Sequence, residues 1–179
     1  MPINHLGLTG ILLVGGASTR FGSPKALARL DGRTLAEIGW ETLAFCDERI
    51  AVGKAADAME LPFPVLDDGA RVRAPIAGVV AGLCAAANDL CVVLPVDTPR
   101  VVSATLRELI AACTGGVAVP QTGPLPGVYR KSALAALEGA LAAGTLSLRD
   151  AIADLDVTVV EVDPAQLINV NRPDDLVGL

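Results

Sequence analysis

Short apolar runs alternate with amphipathic stretches along most of the 179-residue chain. The runs are rich in Val, Ile and Leu, which is typical of strands that are buried on both faces of a sheet. The amphipathic stretches between them have the apolar spacing of helices that cover such a sheet. This alternation predicts an α/β fold with three layers, in which a mostly parallel sheet carries helices on both faces.

The boundaries of the predicted elements follow from turn and capping residues. Thr34 and Glu37 have the spacing of a capping box, and Pro75 suits the first turn of a helix. We found no linker, repeat or low-complexity segment, so we expect a single domain over residues 1–179. Strands are predicted at 11–14, 49–53, 64–67, 91–94, 117–119, 127–130 and 157–162. Helices are predicted at 34–45, 75–87, 103–112 and 131–143, with further helices beginning at 147 and 173.

The first predicted strand runs into a loop that combines glycine, hydroxyl and basic residues. Glycine lets the backbone approach a ligand closely, and successive N–H groups in such a loop form an anion-binding nest. Arginine and lysine side chains suit phosphate oxygens. The loop therefore predicts a phosphate site at the carboxyl end of the first strand. Its candidate nucleotide-binding residues are Leu13, Val14, Gly15, Gly16, Ser18, Arg20 and Lys25.

The spacing of this loop excludes two better-known phosphate-binding motifs. It matches neither the G-x-x-x-x-G-K-[ST] loop of P-loop NTPases nor the G-x-G-x-x-G fingerprint of dinucleotide-binding dehydrogenases. The alternative is a plain glycine turn whose basic residues are merely solvated. The chain has only three lysines, however, which favours a specific role for Lys25.

A second candidate site lies at Asp97, directly after the predicted strand 91–94. Ligands of open α/β sheets bind at the carboxyl edge, so Asp97 should lie near the glycine-rich loop. Mg²⁺ commonly takes one or two protein carboxylates and leaves other positions to phosphate and water. Asp97 is therefore predicted to hold Mg²⁺, whereas the alternative is an Asx turn that caps the next segment.

Two asparagines near the end of the chain form a third candidate site. Alternation puts Asn169 and Asn171 on the same side of an extended stretch. Their amide oxygens can coordinate a cation or accept a hydrogen bond. A purely structural turn before the last predicted helix is the alternative, and Asn171 is our candidate neighbour of the metal or phosphate.

The loop motif resembles the opening of the MobA-like nucleotidyltransferases, whose pattern is L-A-G-G-x-S-x-R-M-G-x-D-K-x-L. Residues 13–27 read L-V-G-G-A-S-T-R-F-G-S-P-K-A-L. Residues 95–99 (P-V-D-T-P) and 169–176 (N-V-N-R-P-D-D-L) are similar to the family's P-x-D-x-P and N-I-N-T-P-E-D-L segments. The resemblance implies a Rossmann-like fold of the nucleotide-diphospho-sugar transferase type.

The resemblance also implies an activity, namely GTP:molybdenum cofactor guanylyltransferase with Mg²⁺ as the cofactor. The phosphate of molybdopterin would attack the α-phosphorus of GTP and release pyrophosphate. The implied catalytic residues are Arg20, Lys25 and Asp97, and the implied metal ligands are Asp97 and Asn171. A molybdopterin cytidylyltransferase, a sugar- or alcohol-phosphate nucleotidyltransferase and a non-catalytic nucleotide-binding domain remain alternatives.

Two departures from the family pattern concern the nucleotide base. Family members carry an aspartate in the nucleotide site before G-P-L-A-G, where residues 74–78 of this chain read A-P-I-A-G. Asp67 and Asp68 both match that aspartate, and we prefer Asp68. The guanylyltransferases commonly have asparagine after the second strand, where this chain has Gly53 and Lys54. The base therefore stays open between guanine and cytosine.

Composition restricts the partners. A net charge of −6 and an aromatic content of 3% disfavour nucleic-acid binding. No apolar run reaches the roughly 18 residues of a membrane span, and the N-terminus lacks the pattern of a signal peptide. We therefore expect a cytoplasmic protein with small-molecule substrates, either monomeric or weakly homo-oligomeric. The four widely spaced cysteines are expected to be reduced core residues.

Overall fold

A seven-stranded sheet organises the computed structural model, which describes residues 7–15 and 24–178. The strands are β1 (Leu8–Leu13), β2 (Arg29–Leu30), β3 (Arg33–Thr34), β4 (Glu48–Gly53), β5 (Val65–Asp67), β6 (Leu90–Pro95), β7 (Val117–Pro120), β8 (Gly127–Arg130) and β9 (Val157–Val160). The helices are α1 (Leu35–Thr42), α2 (Pro75–Ala85), α3 (Ser103–Ala112), α4 (Leu134–Ala142) and α5 (Leu148–Ala151). Short 3₁₀ turns cover Lys25–Leu27, Ala55–Asp57, Lys131–Ala133, Pro164–Leu167 and Pro173–Leu176.

The strands of this sheet are ordered β5-β4-β1-β6-β8-β7-β9. All neighbours run parallel except β8, which is antiparallel to β6 and to β7. The connection from β7 to β8 is a short turn, and a connection of that length joins antiparallel strands. The prediction of a mostly parallel sheet is confirmed.

Helices cover both faces of the sheet, as predicted. Ile11 and Leu13 of β1 pack with α2, α4 and α5, whereas Leu12 packs on the opposite face with α1 and α3. Successive side chains of a strand point to opposite faces, so one strand contributes to both hydrophobic cores. α2 lies particularly close to the sheet because Gly82 faces Ile11, where a Cβ would lie 2.6 Å from Ile11 Cγ2.

The chain reverses its direction across the sheet beside β1. β4 and β5 follow β1 on one side, and the chain then returns to place β6 on the other side. In open α/β sheets such a reversal opens a crevice at the carboxyl ends of the strands. The fold therefore brings the segment after β1 and the segment after β6 to one edge.

Some elements differ from the prediction. Asp31 and Gly32, with φ values of +50° and +82°, form the turn of the short hairpin β2–β3, whose two-residue strands were not predicted. The helix predicted from residue 131 begins as a 3₁₀ turn and becomes α-helical at Leu134. The capping box is confirmed, since Thr34 Oγ1 accepts the Glu37 N–H at 3.1 Å and Glu37 Oε2 accepts the Thr34 N–H at 2.7 Å.

Candidate active site

A cleft with a volume of about 330 Å³ opens at the carboxyl edge of the sheet. It lies at the reversal of strand order, because its walls come from the ends of β1, β4 and β6 and from the start of α2. Six of the residues predicted from the sequence to bind nucleotide line it, namely Leu13, Val14, Gly15, Lys25, Asp68 and Asp97.

The backbone after β1 enters the cleft in a fixed position. The Val14 N–H donates to the Val52 carbonyl at 2.9 Å, so one hydrogen bond to β4 continues beyond the end of β1. Gly15 then leaves the sheet so close to the neighbouring strand that a Cβ would lie 3.1 Å from the Cα of Gly53. The predicted loop residues Gly16, Ser18 and Arg20 lie outside the described residues.

Lys25, Asp97 and Asn171 meet at one point of the cleft edge. Lys25 Nζ donates to Asp97 Oδ2 and to Asn171 Oδ1, each at 3.2 Å. The Lys25 and Asp97 side chains are 17% and 28% exposed, so the pair is shielded yet reachable from solvent. Lys25 is 72 positions from Asp97 and 146 positions from Asn171 in the sequence, yet the three side chains meet. The place of Asp97 after a buried strand predicted its approach to the glycine-rich loop.

The C-terminal segment is held against the end of β6. The Val170 N–H donates to the Asp97 carbonyl at 2.7 Å, and the Val170 side chain is fully buried. Asn169 and Asn171 flank it on the exposed side, as the alternation predicted, and Asn169 lines the cleft. The turn that follows is structural as well, because Asp175 Oδ2 accepts the Asn171 N–H at 2.7 Å. That bond and another from the Arg172 N–H lower the pKa of Asp175.

The two candidate aspartates after β5 have different surroundings. The Asp67 carboxylate accepts backbone N–H groups from Ala55 at 2.5 Å and from Gly69 at 2.6 Å, and these bonds lower its pKa. It joins two loops and is exposed to solvent. Asp68 is the one of the two that lines the cleft, and it pairs there with Lys54, whose Nζ lies 2.5 Å from Asp68 Oδ1.

Two cleft residues were not among the predicted site residues. Lys54 departs from the family pattern, and its place directly after β4 puts it at the carboxyl edge of the sheet. Arg73 also lines the cleft and forms two hydrogen bonds with Asp57, at 2.5 and 3.1 Å. This pairing with the Asp57 carboxylate raises the pKa of Arg73.

The Lys25 junction has the chemistry of a cation site. A carboxylate oxygen and an amide oxygen converge on a single positively charged atom, and oxygen ligands of this kind suit Mg²⁺. The described residues contain no group of three or more His, Cys, Asp or Glu side chains that could hold a metal. With Asp97 Oδ2 and Asn171 Oδ1 as protein ligands, Mg²⁺ would leave its other positions to phosphate and water, as it commonly does.

Sequence comparison matches most of the chain to a known protein family. A family model described as the MobA-like NTP transferase domain matches residues 10–161, which include most of β1 together with Lys25, Asp68 and Asp97. The chain belongs to this family. The resemblance stated from the sequence motifs is confirmed.

Curated relatives match over nearly the whole chain. A probable molybdenum cofactor guanylyltransferase of Deinococcus radiodurans is 35% identical over 182 residues, which cover 97% of this chain and 94% of the relative. A Bacillus subtilis protein of the same description is 31% identical and covers 92% of this chain, with 90% of its own length matched. The similarity therefore extends well beyond the loop motif.

Solved structures confirm the fold class. The molybdopterin-guanine dinucleotide biosynthesis protein A of Archaeoglobus fulgidus superposes with a TM-score of 0.81 at 25% identity, covering 94% of each chain. A 2-C-methyl-D-erythritol 4-phosphate cytidylyltransferase of Thermus thermophilus shares the fold, with a TM-score of 0.73 at 23% identity over 93% of this chain and 94% of its own. The MobA-like chain thus has the Rossmann-like fold of nucleotidyltransferases. No helix among the described residues is long and apolar enough to cross a membrane.

Proposed function

We propose that this MobA-like protein is a GTP:molybdenum cofactor guanylyltransferase that acts in the cytoplasm. The observation that carries the proposal is the junction of Lys25, Asp97 and Asn171 at the edge of a nucleotide-sized cleft. The names of its relatives, which match more than 90% of the chain, supply the substrates GTP and molybdopterin.

In the proposed reaction an oxygen of the molybdopterin phosphate attacks the α-phosphorus of GTP. The bond from that phosphorus to the oxygen shared with the β-phosphate breaks, and pyrophosphate leaves. Both reactants are anions, so charge neutralisation and positioning dominate catalysis of phosphoryl and nucleotidyl transfer. Lys25 and Arg20 are proposed to neutralise the departing pyrophosphate. Leu13, Val14 and Gly15, whose backbone the sheet fixes, are proposed to contact the nucleoside.

Mg²⁺ is the proposed cofactor, with Asp97 and Asn171 as the protein ligands. When bound, the ion would neutralise phosphate charge and help to align the two reacting phosphates. Lys25 already bridges the same two oxygens, so the junction is arranged for positive charge. In the presence of a nucleotide, we propose that Lys25 turns toward the phosphates.

Asp68 is the residue that we propose recognises the base. Guanine presents the N1–H and the N2 amino group on its ring edge, and a carboxylate accepts hydrogen bonds from such donors. A site whose polar groups are left unpaired by the wrong base rejects that base strongly. The Asp67 carboxylate already accepts two backbone N–H groups, and we propose no contact between Asp67 and the base.

Competition among nucleotides tests the proposal. The Kd values of GTP, ATP and CTP would be measured by calorimetry in Mg²⁺, and pyrophosphate release would then be followed with molybdopterin. We expect GTP to bind at least tenfold more tightly than ATP or CTP, and pyrophosphate to appear only when GTP and molybdopterin are both present. Preference for CTP would reassign the protein to the cytidylyltransferases. Equal affinity for all three would contradict a cofactor guanylyltransferase altogether.

A further inference from the structure

A second ion pair, Lys54 with Asp68, lies in the same cleft. Asp68 has a role in the proposed function, whereas Lys54 has none. Lys54 follows β4 and Asp68 follows β5, and the Asp68 N–H donates to the Gly53 carbonyl at 3.0 Å. Two adjacent parallel strands therefore deliver the pair. The Lys54 and Asp68 side chains are only 11% and 8% exposed, although both line the cleft.

One donor and one acceptor of this pair make no hydrogen bond to the described residues. Lys54 Nζ donates to Asp68 Oδ1 and to the Ala70 carbonyl, which uses two of its three protons. Asp68 Oδ1 also accepts the Ala70 N–H at 2.9 Å. Among the described residues, nothing engages the third Lys54 proton or Asp68 Oδ2. Asp68 Oδ2 is not sealed inside the protein, because every buried side-chain nitrogen or oxygen of the described residues has a hydrogen-bond partner, and a ligand in the cleft can therefore reach it.

The position of Lys54 is fixed by the packing of the residue before it. A Cβ on Gly53 would lie 2.9 Å from Val14 Cγ2 and 3.2 Å from Val65 Cγ1. The end of β4 is therefore held tightly between β1 and β5. This packing holds the Lys54 backbone in place, and the bond to Ala70 holds its ammonium beside Asp68.

We propose that Lys54 is a specificity-determining residue, which donates to the carbonyl of a lactam edge on the base while Asp68 Oδ2 accepts from the adjacent ring N–H. Guanine has this edge as O6 and N1–H. Adenine presents the opposite order, with a donor at N6 and an acceptor at N1. Its N6 amino group would therefore face the Lys54 ammonium, and its N1 would face the Asp68 carboxylate. The inference rests on the proposed function and adds a positively charged half to the base site.

The inosine nucleotide separates Lys54 from any contact to the N2 amino group. ITP keeps O6 and N1–H but lacks the amino group, so the K54M variant should lose affinity for GTP and ITP by the same factor. A charge-assisted hydrogen bond of this kind corresponds to a loss of about 10- to 100-fold. Affinities for ATP and for inorganic triphosphate should stay within about twofold of wild type, because neither has the lactam edge.

The experiment measures Kd for GTP, ITP, ATP and inorganic triphosphate in Mg²⁺ with wild type, K54M and K131M. The K131M variant removes the same charge from a lysine outside the cleft lining and should match wild type. A K54M variant that keeps the GTP preference over ATP overturns the inference. Equal losses for all four ligands also overturn it, because they would show that Lys54 only supports the loop.

A double variant guards against misfolding of K54M, whose Asp68 would be left without its partner. In K54M/D68N no charge remains unpaired, and we expect GTP and ATP to bind equally. A tenfold preference for GTP in this variant would overturn the inference. The proposed function is judged separately by transfer to molybdopterin. If the wild-type protein transfers no GMP but K54M loses the preference for GTP, the inference stands and the proposed function is rejected. If the wild-type protein transfers GMP and K54M keeps the preference for GTP, the function stands and the inference is rejected.

Discussion

Asp97 has two separable roles at the scale of single residues. Its backbone carbonyl accepts the Val170 N–H at 2.7 Å and fixes the C-terminal segment, whereas its carboxylate faces Lys25 at the cleft edge. A substitution of the side chain leaves the backbone bond in place. Activity and stability can therefore be separated at this position.

We expect D97N to lose at least about 100-fold in the rate of pyrophosphate release, the scale on which removal of one key electrostatic group acts. The Tm should stay close to that of wild type because no core volume is removed. The rate, measured across a Mg²⁺ titration, checks the expected loss of activity. A thermal melt of the same variant checks the expected stability. D154N, which removes an exposed carboxylate elsewhere, is the control. Wild-type activity of D97N at limiting Mg²⁺ would refute the metal assignment.

The sequence allowed the Lys25 junction to be anticipated but not the Lys54 pair. Lys25 and Asp97 each follow a strand that could be recognised from its apolar residues, and parallel strands bring their carboxyl ends together. The choice between Asp67 and Asp68 depends on the course of the loop after β5, which turns Asp68 into the cleft and leaves Asp67 exposed to solvent. Such loop geometry leaves no periodic signal in the sequence.

At the scale of elements, the long buried strands and amphipathic helices were predictable, and the short or locally determined ones were not. Four consecutive apolar residues at 91–94 predict a strand that is buried on both faces of the sheet, and β6 lies within the sheet as expected. The hairpin β2–β3 has only two residues per strand, too few to show alternation. The antiparallel direction of β8 follows from the length of a turn rather than from the residues of the strand.

The distance between α2 and the sheet supplies a prediction at this scale. A Cβ at Gly82 would lie 2.6 Å from Cγ2 of the fully buried Ile11, so G82A must displace the Ile11 side chain within the core or move α2 away from the sheet. Overpacking of this kind costs about 1–3 kcal/mol in the free energy of unfolding. We expect urea denaturation to show that loss in G82A.

G139A is the matched control for this substitution, because a Cβ at Gly139 of α4 would meet nothing within 4 Å. Alanine is the better helix former, so this variant should gain up to about 1 kcal/mol. Opposite signs for the two substitutions are the expected result. A stabilised G82A would mean that α2 and β1 are not packed as tightly as the structure has them.

At the scale of the whole molecule, groups with shifted pKa values limit the pH range of stability on both sides. Backbone N–H groups lower the pKa of Asp67 and of Asp175, so each of these carboxyls binds a proton more weakly in the folded state than in the unfolded state. Their contribution is present above the ordinary value of 3.8 and is lost as the pH falls below it. The acid limb of stability should therefore begin near pH 4.

Buried thiols act in the opposite direction. Burial raises the pKa of the partly buried Cys46 and of the buried Cys91 from 9.0 to about 12 in each case, because a thiolate at either position would lose hydration. The unfolded state releases these protons at lower pH than the folded state does. Stability that is complete below pH 9 is therefore lost progressively as the pH rises from about 9 toward 12.

We expect the Tm to form a plateau between about pH 5 and pH 8.5 and to fall on both sides, because neither pair of groups changes its protonation within that range. Melting curves from pH 3 to pH 10.5 would measure the profile. The C46A/C91A variant should have a lower Tm throughout, since the buried Cys91 and the partly buried Cys46 both lose volume, but its decline between pH 9 and pH 10 should be shallower than in wild type. The expectation of four core cysteines is wrong for Cys84, which is exposed, and because its pKa is raised less than those of Cys46 and Cys91, C84A should change that slope less than C46A/C91A does. Parallel alkaline limbs in C46A/C91A and wild type would show that the two core thiols do not set the upper limit.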